Sequence, residues 1–238
     1  MTVLAGTSKG IFRLAGGTFD RVQISRGVRD LFHFGSRTLA GTGDGLFVSD
    51  DDGRSWTASG LEGLEVWQIR SGGDTVLYAG TQPAGLYRSF DAGDSWEEVA
   101  SFATVANSQP WCIPVTPALP GRARALVIDP VNPLRICVGV EVGGIVRTED
   151  GGENWDIVLP GDNPDLHMMC TDPSDPDTVY ASTGYGRLDG VADMIEGNAG
   201  VLRSTDFGAS WEYAWYGITP RYSRPMCIDP RSPHSLTV

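Results

Sequence analysis

The sequence predicts an all-β chain assembled from repeated four-stranded antiparallel units. Three observations carry that prediction. A short box, Ser/Thr-x-Asp-x-Gly-x-(Ser/Asn)-Trp, occurs four times, as SDDDGRSW (49–56), SFDAGDSW (89–96), TEDGGENW (148–155) and STDFGASW (204–211). Each box follows two apolar runs parted by a small-residue turn, such as RTLAGTGDG then GLFVS, or TVLYAGTQPAG then GLYRS. Between the boxes, short β-rich runs are broken by Gly, Pro, Asn and Asp, with no helical periodicity.

The elements of one unit follow in order as strands A to D. Strand A is an apolar run often closed by Asp-Pro, as in ALVIDPVNP, MMCTDPSDP and PMCIDPRSP. Strand B ends in the small-residue turn, strand C leads into the box, and strand D follows the tryptophan, as in WDIVLP. The box is therefore the C–D turn. Tryptophans at 56, 96, 155 and 211 set a repeat of one propeller blade, which runs to about 40–60 residues. A radial array of such sheets covers both faces of each. Full blades are expected at about 28–59, 64–99, 123–159 and 166–214, with partial blades at 1–25 and 223–238 of a single propeller domain, 1–238. That makes about five blades, either closed by the C-terminal A strand or belonging to a truncated propeller of six or seven.

The layout IDPxNP…G(T)…GIxRSxDxGxxW resembles the Asp-box or BNR repeat over essentially the whole chain. That family includes sialidases, xyloglucanases, sortilin-type receptors and photosystem assembly factors. The resemblance implies a β-propeller; it does not imply one activity, because the family's members do unrelated things.

The box has a structural explanation. Aspartate and serine oxygens accept hydrogen bonds from turn amides, glycine permits a positive φ, and tryptophan buries a large apolar area while its N–H finds an acceptor. Asp51, Asp91, Asp150 and Asp206 hold the constant position, and Trp56, Trp96, Trp155 and Trp211 close the boxes. Asp50 and Asp52 fall at variable positions and are expected to be solvated bystanders. A calcium loop needs six to eight oxygens, which the other boxes do not supply. No metal and no cofactor are expected.

Composition narrows the functions. A formal net charge of −12 argues against a general nucleic-acid binder or a binder of anionic membranes, since both need a positive field. Lys9 is the single lysine, so any cationic site is built of arginine. The segment MTVLAGTSKGIFRL reads as strand and turn rather than signal peptide, and no apolar run suggests a membrane span. The four cysteines (Cys112, Cys137, Cys170, Cys227) lack CxxC spacing and read as buried reduced thiols. A cytoplasmic protein is the expectation.

The resemblance implies that D–A and B–C loops gather at one mouth of the propeller, away from the boxes. Aligning A strands on Asp129, Asp172 and Asp229 places Arg124, His167 and Arg224 at one recurring position, with Arg29 nearby in the first full unit and Glu65, Val66 and Trp67 in the second. Converging arginines would form a fork for a carboxylate or phosphate; alternatively each pairs with a neighbouring acid. The B–C loops add Lys9, Asp44, Gln82, Glu141, Tyr185 and Arg187. Two insertions, 101–122 with Trp111 and 185–199 with Asp189, Asp193 and Glu196, lengthen loops of the kind that carry specificity.

The sequence favours a non-catalytic scaffold binding a protein partner or a small anionic or carbohydrate ligand. The alternative is a glycoside hydrolase of sialidase-like or xyloglucanase-like type, which needs two carboxylates or a tyrosine nucleophile. Asp30, Asp44, Glu65, Glu141, Asp189 and Tyr185 are its candidates. The Arg-Ile-Pro signature of sialidases is absent.

Overall fold

The computed structural model describes residues 2–22, 27–160, 163–184, 199–214, 223, 225–232 and 234–238. The chain divides into two compact units, Met1–Glu98 and Val99–Val238, each described by itself.

In the first unit, β1 (Thr2–Thr7), β2 (Gly10–Ala15) and β3 (Thr18–Val22) form a three-stranded antiparallel meander. Two four-stranded meanders follow. One joins β4 (Val28–Phe34), β5 (Arg37–Thr42), β6 (Gly45–Ser49) and β7 (Thr57–Ala58). The other joins β8 (Glu65–Ser71), β9 (Leu77–Gln82), β10 (Gly85–Ser89) and β11 (Glu97–Glu98). Successive sheets stack through their apolar faces. Leu39, Leu46 and Val48 pack with Val66, Ile69 and Leu77, and Trp96 lies against the same cluster. The stack is close: a Cβ on Gly41 would fall 2.7 Å from the Val66 carbonyl oxygen, so that position of strand B has to be glycine or shift its neighbour.

The second unit opens on α1 (Ala100–Asn107) and a short hairpin, β12 (Cys112–Ile113) with β13 (Leu119–Pro120). Two more four-stranded meanders follow. These are β14 (Arg122–Ile128), β15 (Ile136–Glu141), β16 (Gly144–Thr148) and β17 (Asp156–Val158), then β18 (Leu166–Asp172), β19 (Asp175–Thr183), β20 (Gly200–Ser204) and β21 (Glu212–Tyr213). Finally β22 (Cys227–Ile228) pairs with β23 (Leu236–Thr237). Ala125, Val127, Cys137 and Ile145 bury against Leu166, Met169, Val179 and Phe207.

The helix corrects the expectation of no helical segment. Eight residues are too few to show a periodicity, and α1 is held by packing instead. Phe102 is fully buried, edge-on to Trp155 with ring centroids 5.4 Å apart. The Ser101 hydroxyl donates to the Gly152 carbonyl and accepts from Trp155 Nε1 at 3.1 Å.

All four boxes fold alike. The first Ser or Thr donates to the aspartate Oδ1 at 2.7–2.8 Å, and accepts from the glycine amide at 2.7–3.0 Å. The seventh residue then returns its amide to the same Oδ1, and the tryptophan N–H donates to the glycine carbonyl at 3.0–3.2 Å. The residue before the glycine takes a left-handed conformation even where it is Asp52, Ala92 or Phe207, with φ of 57°, 57° and 52°. The Ser55 amide draws Asp51 well below the usual carboxylate range, the Asn154 amide does so for Asp150, and the Ser95 hydroxyl takes Asp91 to about 2.

Two further expectations are corrected. Asp50 is no bystander: Arg37 Nε donates to it at 2.8 Å while Arg37 Nη1 reaches Asp94 of the following box at 2.7 Å, tying two turns together. The thiols are not all buried. Cys137 is, but Cys112 and Cys170 are half-buried and Cys227 is exposed.

Candidate functional site

The position that recurs in the A strands carries a structural mark. In each four-stranded sheet the ladder between strands A and B skips one residue at the start of strand A. The skipped residues are Arg29, Trp67, Arg124 and His167. A β-bulge leaves its extra residue unpaired and re-aims its side chain, and bulges recur beside functional sites. Arg29, Trp67, Arg124 and His167 therefore share one backbone device.

In the first unit the Arg29 guanidinium carbon sits 4.5 Å above the centre of the Trp67 ring, and Nη2 lies 2.8 Å from Glu65 Oε2. Asp30 is engaged elsewhere, accepting from the Ile69 amide at 2.8 Å and Arg70 Nη1 at 2.9 Å. Asp44 accepts from the Gly63 amide at 3.0 Å.

The second unit holds the denser arrangement. Glu141, the last residue of β15, receives Arg124 Nη1 at 2.6 Å and Arg122 Nε at 3.1 Å, both on Oε2. Glu141 also bridges Asp165 through the backbone, which sets the two carboxyl groups side by side. His167 is 2% exposed; its Nδ1 lies 2.6 Å from the Ser223 carbonyl oxygen and its Nε2 3.3 Å from Asp165 Oδ1. A carbonyl only accepts, so Nδ1 carries a proton and Nε2 faces the acid. The Asp165 amide donates to Asn163 Oδ1 at 2.9 Å, and Asn163 Nδ2 donates to the Gly184 carbonyl at 2.7 Å. Trp111 lies over the adjoining turn, where a Cβ on Gly143 would come 3.0 Å from its Nε1.

Donor atoms of Glu141, Asp165 and His167 lie within 4.8 Å of one another, a spacing that a small cation could use. Two guanidiniums already share the Glu141 oxygen, however, and a third cation there would meet their repulsion. The set reads better as two carboxyl groups held by arginines and a histidine than as a metal centre.

Sequence reasoning singled out Arg124, Glu141 and His167 but missed Arg122, Asn163, Asp165 and Ser223. Arg122 was legible in principle, two residues from Arg124 on one strand. Asp165 stands two residues before His167, where Arg122 precedes Arg124 and Glu65 precedes Trp67, so its position repeats while its residue type does not. Tyr185, Arg187, Asp189, Asp193, Glu196 and Arg224 lie outside the described residues.

No protein-family model matches the chain. It is similar to a probable oligoxyloglucan-reducing end-specific xyloglucanase of Neosartorya fischeri, 28% identical over 81% of this chain and 23% of that protein. It is also similar to a xyloglucanase of a Paenibacillus species, 28% identical over 57% of this chain and 13% of that one. The chain thus spans less than a quarter of the curated relatives it matches. Among solved structures it resembles the GH74 xyloglucanase of Xanthomonas campestris, with a TM-score of 0.62, 15% identity, and coverage of 95% of this chain and 38% of that one. An ancestral GH74 enzyme gives a TM-score of 0.60 at 16% identity, covering 85% of this chain and 26% of that one. At such identities the structural likeness speaks for fold alone. No helix among the described residues is long and apolar enough to cross a membrane. The chain is all-β, of the β-propeller class, built from four-stranded antiparallel sheets.

Proposed function

We propose that this chain is part of a propeller glycoside hydrolase acting on xyloglucan or a related glucan, with Glu141 as a carboxylate of its site. The observation that carries the reading is the sequence similarity to curated xyloglucanases across most of the chain. It favours the hydrolase alternative over the scaffold that the sequence put first. Glu141 suits the role chemically, being fixed by Arg122 and Arg124 at the end of a strand, next to a turn roofed by Trp111. A preorganised carboxylate and an aromatic face are what a hydrolase needs to act on a bound sugar. An oxygen of Asp165 lies within 4.8 Å of one of Glu141, so a second carboxyl group adjoins the first.

A second reading keeps the non-catalytic scaffold. Glu141 is only 8% exposed, which suits a carboxylate that orders arginines for a ligand more than one that meets a sugar. Under it, the bulge residues of each unit, Arg29 and Trp67 in the first and Arg124 and His167 in the second, offer contacts to an anionic or carbohydrate ligand or a protein partner. Xyloglucan as a substrate would also place the protein outside the cell, against the cytoplasmic expectation.

The test is incubation of the intact protein with xyloglucan, its oligosaccharides and an unsubstituted glucan, reading new reducing ends and, in parallel, binding by calorimetry. Turnover that vanishes in Glu141→Gln supports the hydrolase. Binding without turnover returns the scaffold, and neither binding nor turnover overturns both.

A further inference from the structure

The fourth residue of strand C is arginine in four of the five strand-C runs: GIFRL, GLYRS, GIVRT and GVLRS carry Arg13, Arg88, Arg147 and Arg203. Three of these arginines hold a glutamate. Arg88 lies 2.9 Å from Glu97, Arg147 pairs with Glu149, and Arg203 lies 3.5 Å from Glu212. Arg13 departs from its siblings. Its cross-strand partner is an acid, Asp20, yet Arg13 makes no ion pair with it and instead donates from Nε to the Asp52 carbonyl at 2.9 Å. The residue is 9% exposed, so a mostly buried guanidinium is held by a dipole and not by a countercharge.

Arg13 lines a cleft of about 680 Å³ whose wall also includes Asp20, Arg21, Arg54, Ser55 and Trp56. The other two arginines are oriented in the same manner. Arg21 Nη2 donates to the Lys9 carbonyl at 2.8 Å, and Arg54 Nη1 to the Asp51 carbonyl at 2.9 Å. Among the described residues, Arg54 alone of the three has a carboxylate oxygen within 4.0 Å, that of Asp52 at 3.9 Å with both side chains exposed. The Asp51 carboxylate is engaged by Ser49 and Ser55 of its own turn. The cleft wall itself carries three guanidiniums against the single carboxylate of Asp20, a net positive lining on a chain of net charge −12. Carbonyl anchoring fixes the direction of each fork without neutralising it, which is a preorganised receptor for an oxyanion. Trp56 supplies an aromatic wall, and Asp20 and Ser55 supply acceptors for hydroxyl groups.

We propose that this cleft is a binding site for an acidic saccharide, a sugar ring bearing a carboxylate, with the carboxylate on Arg13, Arg21 and Arg54 and the ring against Trp56. The site is separate from the Glu141 cluster and does not depend on hydrolysis there. A guanidinium fork takes a carboxylate or a tetrahedral oxyanion two hydrogen bonds at a time, and a sulfated sugar separates the two.

Calorimetric titration of the intact protein with trigalacturonate, a sulfated trisaccharide, a neutral cello-oligosaccharide and sodium sulfate tests the assignment. Trigalacturonate is expected to bind at least about tenfold more tightly than the neutral sugar, and to weaken as salt is raised. The double variant Arg21→Gln/Arg54→Gln alters exposed side chains only and should cost about tenfold or more in trigalacturonate affinity. Its glucan turnover, if the protein has any, should stay unchanged. Equal binding of neutral and acidic sugars, or an unaffected double variant, overturns the proposal. Tighter binding of the sulfated sugar overturns the carboxylate assignment, and sodium sulfate binding as tightly as trigalacturonate reduces the cleft to an adventitious ion only.

Discussion

The Arg124 guanidinium meets the Glu141 carboxylate at 2.6 Å, and the arginine does so from the one residue of its strand that the ladder leaves out. Regular pairing would have directed that side chain by the alternation of the strand. The bulge frees it to reach the end of the neighbouring strand.

Glu141→Gln should therefore do two things. It leaves Arg122 and Arg124 in a buried setting without their shared countercharge, at a cost of about 3 kcal/mol read by urea denaturation. It should also abolish turnover or weaken ligand binding, whereas Glu141→Asp keeps the charge and recovers most of the stability. Equal destabilisation by both variants would mean that packing, and not charge, holds this corner.

The box aspartates give an acid signature. Their folded pKa values are depressed, so the stability they contribute is complete above the unfolded carboxylate range near 4 and is lost as pH falls through the folded values. Asp91 titrates at about 2 in the folded chain, which sets its window between about pH 4 and 2. Stability against urea should be flat above about pH 5 and fall steeply below 4. Asp91→Asn should make that slope shallower, because one proton fewer is taken up on unfolding. A slope identical to the parent's would show that the turn holds no depressed carboxylate there.

Trp155 and Phe102 should behave as a coupled pair. Trp155→Ala removes a large ring from the contact with α1 and should cost about 3 kcal/mol, with Phe102→Ala similar. The double variant should cost less than the sum by about 0.5–1.5 kcal/mol, since the ring–ring contact is lost once. Additive losses in a double-mutant cycle would show that helix and box do not support each other.

The thiols separate by burial. Cys137 is fully buried, and loss of solvation pushes it up to about 12, as it does Cys170. A thiol reagent at neutral pH should modify exposed Cys227 quickly and Cys137 only on unfolding, as read by peptide mass mapping. Rapid labelling of Cys137 in the folded protein would contradict the packing described for the second unit.

Much of the architecture could be read from residues alone. Four boxes located four C–D turns, and the Asp-Pro closures located A strands, because turn chemistry and strand alternation are written locally. The bulges were not legible. They are a property of two strands in register, and a sequence shows only one strand at a time. The helix escaped for a related reason, since Phe102 is helical by virtue of what it touches. At the candidate site, alignment found Arg124 and His167 because the position repeats. Asp165 escaped because its position, two residues before the bulge, holds a different residue type in each repeat, and Ser223 because it is joined to His167 through a backbone carbonyl. The pairing of Arg37 with Asp50 and Asp94 joins two boxes, which no single box could announce.

The recurring bulge has an evolutionary consequence. A residue outside the ladder can change from arginine to tryptophan to histidine, as Arg29, Trp67, Arg124 and His167 do, while its neighbours keep their partners. In each unit the side chain at this position can then change from cation to aromatic to imidazole without removing a rung of the ladder.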